Sequence, residues 1–596
     1  MREFEQFPNL VTMFFTRATE LGNAPFLWHR AEKGWVSRSW KESALQVSAL
    51  AAALKRLGIE RGDRVMLVSE NRPEWCIADL AIMAAGAVTV PTYTTNTERD
   101  HSHILQDSGA KAVIVSTAKL ARTLLPAVIR SSQCKTVIGI EDLKVGQSGD
   151  VAFHDLDKML SVEMADPAAT AAGADFKRDD LACIIYTSGT GGAPRGVCQH
   201  HGMILHNVAG CIDMFIHDCG WGDEVFLSFL PLSHAYEHSG GQFLPIGLGG
   251  QIYYAEGLEK LAANIEEVRP TMMVVVPRLF EVLRARILKT IEKQGGIGPA
   301  LLRRALSLGA KDLGKGIPLW DRPVNFFIAK TLKPKVQAKF GGRMKALVSG
   351  GAPLNPDIGL FFHALGLPLL QGYGQTESGP VISCNRPRAV IKMDTVGPPM
   401  KDTEVKIADD GEILVRGELV MHGYWNNPSE TARVLIDGWL HTGDIGHLDD
   451  KGRVVITDRK KDLIVNDKGD NVAPQKIEGM LTLQPEIVQA MVVGDRRPHL
   501  VGLVVPDPEW LMEWAVANDE RPDCKSLSDN PAVHRALMAA VDRVNGEVSV
   551  TEKVRRIIVV CNPFTVDNEM LTPSMKIRRH KIKEIYGDRL DALYKS

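Results

Sequence analysis

The chain has 596 residues, enough for several structural units, and its 70 basic and 72 acidic residues leave a net charge of −2. That balance provides no cationic footprint, so nucleic acid is not an expected partner. Hydrophobic residues at 45% against 24% charged ones describe a folded chain rather than a disordered one, and no apolar run approaches the eighteen residues of a membrane span.

The opening residues, MREFEQFPNL, have neither a basic n-region nor an apolar h-region, so no signal peptide is expected. The nine cysteines stand singly, without a C-x-x-C pair. They read as buried free thiols of a reducing cytoplasm, and they argue against a zinc site.

From residue 40 the pattern alternates short apolar runs with helical ones. VMLVS (65–69) reads as a strand and WCIADLAIMAAGAV (75–88) as a helix with a small-residue face. KAVIVS (111–116) and KTVIGI (135–140) are further strands, with the helical AKLARTLLPAVI (118–129) between them. This βαβα rhythm predicts a parallel sheet with helices on its faces. MMVVVP (272–277) and MKALVSGG (344–351) continue it, and residues 281–340 read as long amphipathic helices inserted between these two strands. Beyond residue 456 a cationic run, RKKDLIV, precedes short β units and a helix near 531–546. The fold class expected is α/β: a large N-terminal domain (1–459) of layered, mostly parallel sheets with flanking helices, and a small mobile C-terminal α+β domain (460–596).

Between these elements lies YTSGTGGAPRG (186–196), whose glycines, hydroxyls and one cation suit an anionic ligand, with phosphate foremost. It is not a P-loop: Gly191 and Gly196 have that spacing, but Val197 stands where lysine should. Nor is it a dinucleotide loop, since Pro194 takes the third glycine position. Four later stretches join it: GYGQTE (372–377), HTGD (441–444), DRKKD (458–462) and LTPSMKIRRHK (571–581). Taken singly, Glu377 reads as a surface carboxylate, Asp444 as a turn residue, Arg459 as a partner for a neighbouring Asp and Lys576 as a solvated cation. His234, in FLPLSHAYE, reads as a satisfied core histidine.

Together and in this order the motifs closely resemble those of the adenylate-forming (AMP-binding) superfamily, whose phosphate loop runs YTSGTTGxPKG. SGGAPL (349–354) matches a further core motif. VVVPRLFEVL (274–283) with the long helical insertion, and the run from GLPLLQGYGQTE, are similar to the long-chain acyl-CoA synthetase branch. The resemblance covers nearly the whole chain from about residue 25. It implies a long-chain fatty acid–CoA ligase that uses ATP and Mg²⁺, forms acyl-AMP and transfers the acyl group to coenzyme A.

The same resemblance implies the site. Thr187, Ser188, Gly189, Thr190 and Arg195 would cradle the β- and γ-phosphates, and Thr376 would contact the α-phosphate. Glu377 would bind Mg²⁺, a hard cation suited to a carboxylate. Gly350, Gly351, Ala352, Tyr373 and Gly374 would flank adenine, Asp444 would accept the ribose hydroxyls, and Arg459 would support ribose and phosphate. Lys576 would bridge carboxylate and α-phosphate, with His234 a further catalytic candidate and Lys461 the hinge. Two positions depart from the pattern. Gly191 removes a hydroxyl, which predicts weaker ATP binding, and Arg195 replaces lysine with a planar fork.

The residue types fit this chemistry. A fatty carboxylate is already ionised at neutral pH and needs no general base. The obstacle is its approach to a polyanion, so cations and fixed donors are the catalysts required. Loading of the acyl group onto a carrier protein is the alternative, and a non-catalytic adenylate-binding scaffold a more distant one. Small residues in GGQFLPIGLGG (240–250) could line a long apolar tunnel or serve helix–strand packing. Cytoplasmic location is expected, with peripheral membrane contact and oligomeric state left open.

Overall fold

The computed structural model describes residues 4–144, 150–163, 165–187, 194–314, 316–468, 470–521, 523–572 and 576–595. Two large sheets dominate the N-terminal part. The first runs Ala152–Asp155, Thr136–Gly139, Ala112–Val115, Arg64–Val68, Val88–Thr92, Leu181–Thr187, Arg195–His200. All its pairings are parallel except the last, a hairpin. The second has eight strands, with parallel neighbours Gln251–Tyr254, Val225–Ser228, Met272–Val275, Ala346–Ser349 and Leu369–Tyr373 at its centre.

The helix Pro73–Ala84 explains why the sheets can pack as layers. It is buried along nearly its whole length, and its small residues meet both sheets in one shared core with Leu67, Phe226 and Met272. A helix apolar on every side belongs inside a protein, not on its surface. It starts two residues before the predicted bound because Pro73 occupies its first turn, and it stops ahead of Gly86, whose φ is +86°.

The expected helical insertion is present as three helices, Pro277–Gln294, Gly298–Gly314 and Arg322–Lys339. An antiparallel five-stranded sheet follows, in which Trp439–Leu448 pairs with Val454–Arg459. The last part is α+β: strands Ile487–Val493, Leu500–Pro506 and Val554–Val559 carry helices on both faces. Alternation along one strand shows how. Leu500 and Val504 face helices Pro474–Leu481 and Pro531–Asn545, whereas Val501, Leu503 and Val505 face Arg579–Ala592.

One expectation is corrected here. Cys524 and Cys561 form a disulfide, so the nine cysteines are not all free thiols; the other seven are. The pair is 37 residues apart in sequence, a separation that no short spacing motif reveals. Among the described residues no helix is long and apolar enough to cross a membrane.

Candidate active site

Open α/β sheets bind ligands at the carboxyl ends of their strands, and Thr187, Ser349 and Tyr373 end strands of the two large sheets next to the motif residues. The hairpin that carries the phosphate-loop motif pairs Thr187 with Arg195. Ser188, Gly189, Thr190 and Gly191 lie outside the described residues. Arg195 is held on both sides: Nη1 lies 2.8 Å from Glu430 Oε2, and its guanidinium stacks 4.6 Å from the Tyr424 ring centre. Tyr424 in turn donates its hydroxyl to Glu377 Oε1 at 2.8 Å. Neither Tyr424 nor Glu430, the latter in the short helix Pro428–Val434, was singled out from sequence.

The strand Leu369–Tyr373 delivers the next group. Gly374 must be glycine, because a Cβ there would lie 1.8 Å from the Pro380 carbonyl oxygen. That close approach turns the chain so that Thr376 is buried and Glu377 half-buried. The Thr376 carbonyl accepts from Gln199 Nε2 at 2.8 Å. The second oxygen of Glu377 carries no hydrogen bond among the described residues, and a carboxylate oxygen is the ligand type a hard cation takes. Gly350, Gly351 and Ala352 follow the strand Ala346–Ser349, where a Cβ on Gly350 would sit 2.9 Å from the Tyr236 ring. The Tyr236 hydroxyl donates to the Val348 carbonyl at 2.8 Å, which fixes the ring there.

Asp444 and Arg459 are register partners on adjacent antiparallel strands. Arg459 Nε lies 3.2 Å from Asp444 Oδ1, and the Tyr373 hydroxyl donates to Oδ2 at 2.8 Å. Asp444 is only 5% exposed. Burial raises its carboxyl above the ordinary value, against the opposing pull of Arg459 and the Tyr373 hydrogen bond. Tyr373 was expected beside adenine; its hydroxyl is directed to this carboxylate.

Lys576 comes to this place from the far end of the chain. Burial, then the nearby Arg459 charge, lowers its ammonium to about 8, while Asp444 and Glu377 work in the opposite sense. His234 shares this environment: burial and the Lys576 charge lower its imidazole to about 4, so it is neutral at pH 7. Its Nδ1 accepts the Tyr236 N–H at 3.2 Å and caps a short helical turn. Lys461 is exposed in the turn just after the strand Val454–Arg459.

Behind Tyr236 lies an apolar cavity between the helix His201–Met214 and the second large sheet, lined by Val208, Cys211, Met214, Gly240, Val274 and Val348. Two glycines of the 240–250 segment have different surroundings. Gly240 lines this cavity, whereas a Cβ on Gly247 would strike Val208 at 2.7 Å in a helix contact. The helix residues 207, 208, 211 and 214 have ordinary core spacing, so sequence held no signal for a cavity there. Elsewhere, Asp179, His200 and His422 converge, the two imidazoles stacking at 4.3 Å. His200 is committed to structure: Nδ1 accepts from the Met203 N–H at 3.1 Å, and Nε2 faces the Val420 carbonyl at 3.2 Å.

Residues 14–425 match the AMP-binding enzyme family, and residues 461–596 match the AMP-binding enzyme C-terminal domain. The chain is similar to long-chain-fatty-acid–CoA ligase FadD15 of Mycobacterium tuberculosis, 34% identical over 94% of this chain and 92% of the relative. It is 31% identical to the peroxisomal long chain acyl-CoA synthetase 6 of Arabidopsis thaliana, over 94% of this chain and 81% of that one. In fold it resembles the adenylation domain of a carboxylate reductase from Mycobacterium chelonae, with a TM-score of 0.75, 22% identity, and coverage of 99% and 92%.

Proposed function

The chain belongs to the AMP-binding enzyme family, and from that membership we propose that it joins a long-chain fatty acid to coenzyme A at the expense of ATP. The observation that carries this reading is the Asp444 carboxylate held by the Tyr373 hydroxyl at 2.8 Å and by Arg459 at 3.2 Å, with buried Lys576 close enough to feel both charges. The cavity beside Tyr236 has an apolar lining of the kind a hydrocarbon chain prefers, and the similar mycobacterial and plant proteins are long-chain ligases by name.

In the first step a carboxylate oxygen attacks the α-phosphorus, the bond to the β-phosphate oxygen breaks, and diphosphate leaves. Two anions must meet, and the charge of Lys576 would offset both. Asp444, aligned by Tyr373 and Arg459, accepts the ribose hydroxyls, and the buried Thr376 fixes the turn beside the α-phosphate. Gly350, Gly351 and Ala352 leave a flat edge for adenine. Thr187 and Arg195 bound the phosphate loop, with Arg195 kept in place by Glu430. Glu377 would hold Mg²⁺, which when bound neutralises part of the phosphate charge. Neutral His234 positions the acyl carboxylate without adding a charge.

In the second step the CoA sulfur attacks the acyl carbon and AMP leaves with the bonding pair. Residues 1–459 act as the binding body and 460–596 as a lid that turns about Lys461, withdrawing Lys576 to admit the thiol. ATP–diphosphate exchange across acids from acetate through palmitate to arachidate tests the reading. Exchange is expected to be strongest with the long acids, and its absence with every acid would contradict the proposal.

A further inference from the structure

The helical insertion bears an unusual surface. Trp320 is 79% exposed, Leu319 70%, Phe326 65% and Phe327 49%. Leu319 and Trp320 form a short 3-10 turn that leads directly into the helix Arg322–Lys339, which carries the two phenylalanines in its second turn. The helix is anchored from its other side, where Ile328 packs with Ala305 and Leu308, and Val336 is buried. So the aromatic residues are not a misplaced core face. They project from a helix whose own core face is already satisfied.

The charge beside them has one sign. From Arg322 to Lys345 the chain has seven basic residues and no acidic one, and of these Lys339 and Lys345 pair with Glu266 and Glu224 from elsewhere in the chain. Lys330 and Lys335 are exposed and have no ion-pair partner among the described residues, and Lys330 lies over the Phe326 ring at 5.8 Å. The adjacent acid, Asp321, is buried and neutralised by Arg304 and by Lys311 at 2.6 Å, so it presents no negative charge to solvent.

We propose that this face docks the protein on an anionic phospholipid bilayer. Large aromatic and aliphatic side chains seat at the headgroup boundary, and long basic side chains reach lipid phosphates alongside. A second copy would set the same unpaired cations against each other. The inference rests on the long-chain reading for its purpose, since such acids partition into bilayers, but its test does not depend on turnover.

The full chain is sedimented with vesicles of phosphatidylcholine alone or mixed with phosphatidylglycerol. Binding is expected to the mixed vesicles and to weaken with salt. It should fall by about tenfold or more in Lys330→Glu/Lys335→Glu, and likewise in Trp320→Ser/Phe326→Ser/Phe327→Ser. Both variants should keep the wild-type melting temperature and activate palmitate offered in detergent micelles. A wild-type chain that ignores anionic vesicles while activating micellar palmitate overturns the docking face and leaves the function standing. Variants that sediment like wild type overturn it too, as does a solution dimer lost in the aromatic variant without vesicle binding.

Discussion

Tyr373 donates its hydroxyl to Asp444 Oδ2 at 2.8 Å, across from the Arg459 contact to Oδ1. The carboxylate is therefore aligned before any ligand arrives, and an ionised acceptor so held can take two ribose hydroxyls. Asp444→Ala is expected to lower kcat/KM for ATP by about 10- to 100-fold, the range of hydrogen bonds to a charged group. It should also erase the preference for ATP over 2′-deoxy-ATP. A variant that keeps that preference would remove Asp444 from the ribose site.

Lys576 supplies a pH dependence with a definite sign. Its lowered pKa of about 8 means that the cation is mostly present at pH 7 and mostly gone at pH 9. If adenylation requires the charged form, kcat/KM for acyl-AMP formation should fall about tenfold between those values. A flat or rising profile over that interval would contradict the role.

Glu237 yields a prediction for stability rather than turnover. It is fully buried, and burial pushes its carboxyl up to about 8. Below its ordinary value of 4.5 folded and unfolded chains both hold the proton. Between there and pH 8 the unfolded chain releases it while the folded chain does not, so stability falls as pH rises. Glu237→Gln should raise the melting temperature at pH 8 by about 2 °C or more, and by less at pH 5. A gain that grows towards acid pH would have the wrong sign.

Lys461 is the position to lock. In the turn after Arg459 the N–H groups of Lys460 and Asp462 bond the Gly443 and Arg459 carbonyls, whereas that of Lys461 makes no bond among the described residues. Proline at 461 removes no hydrogen bond in this state, yet it fixes φ against rotation. Lys461→Pro should keep ATP–diphosphate exchange near wild type and abolish acyl-CoA formation. Parallel loss of both, or of neither, would place the hinge elsewhere.

The sheet strands were legible because runs such as VMLVS and MMVVV have no alternative as buried parallel strands, and the α/β class followed from their spacing. Site residues came through motifs, since Asp444 or Lys576 alone is an ordinary charged residue. Arg459 was read as a partner for a neighbouring Asp, but its register pairing with Asp444 across two strands is a tertiary fact. The Glu430 and Tyr424 contacts to Arg195 span more than 200 residues and leave no local pattern. The Cys524–Cys561 pair escaped for the same reason, and the cavity because Val208 and Cys211 look like core.

The two half-reactions of Lys576→Ala test the account most directly. Its charge is needed while carboxylate and ATP meet, not when a thiol attacks a finished adenylate. Acyl-AMP formation from palmitate and ATP should fall by about 100- to 1000-fold, while palmitoyl-CoA formation from supplied palmitoyl-AMP and CoA stays near wild type. Equal losses in the two reactions, or none in the first, would contradict it.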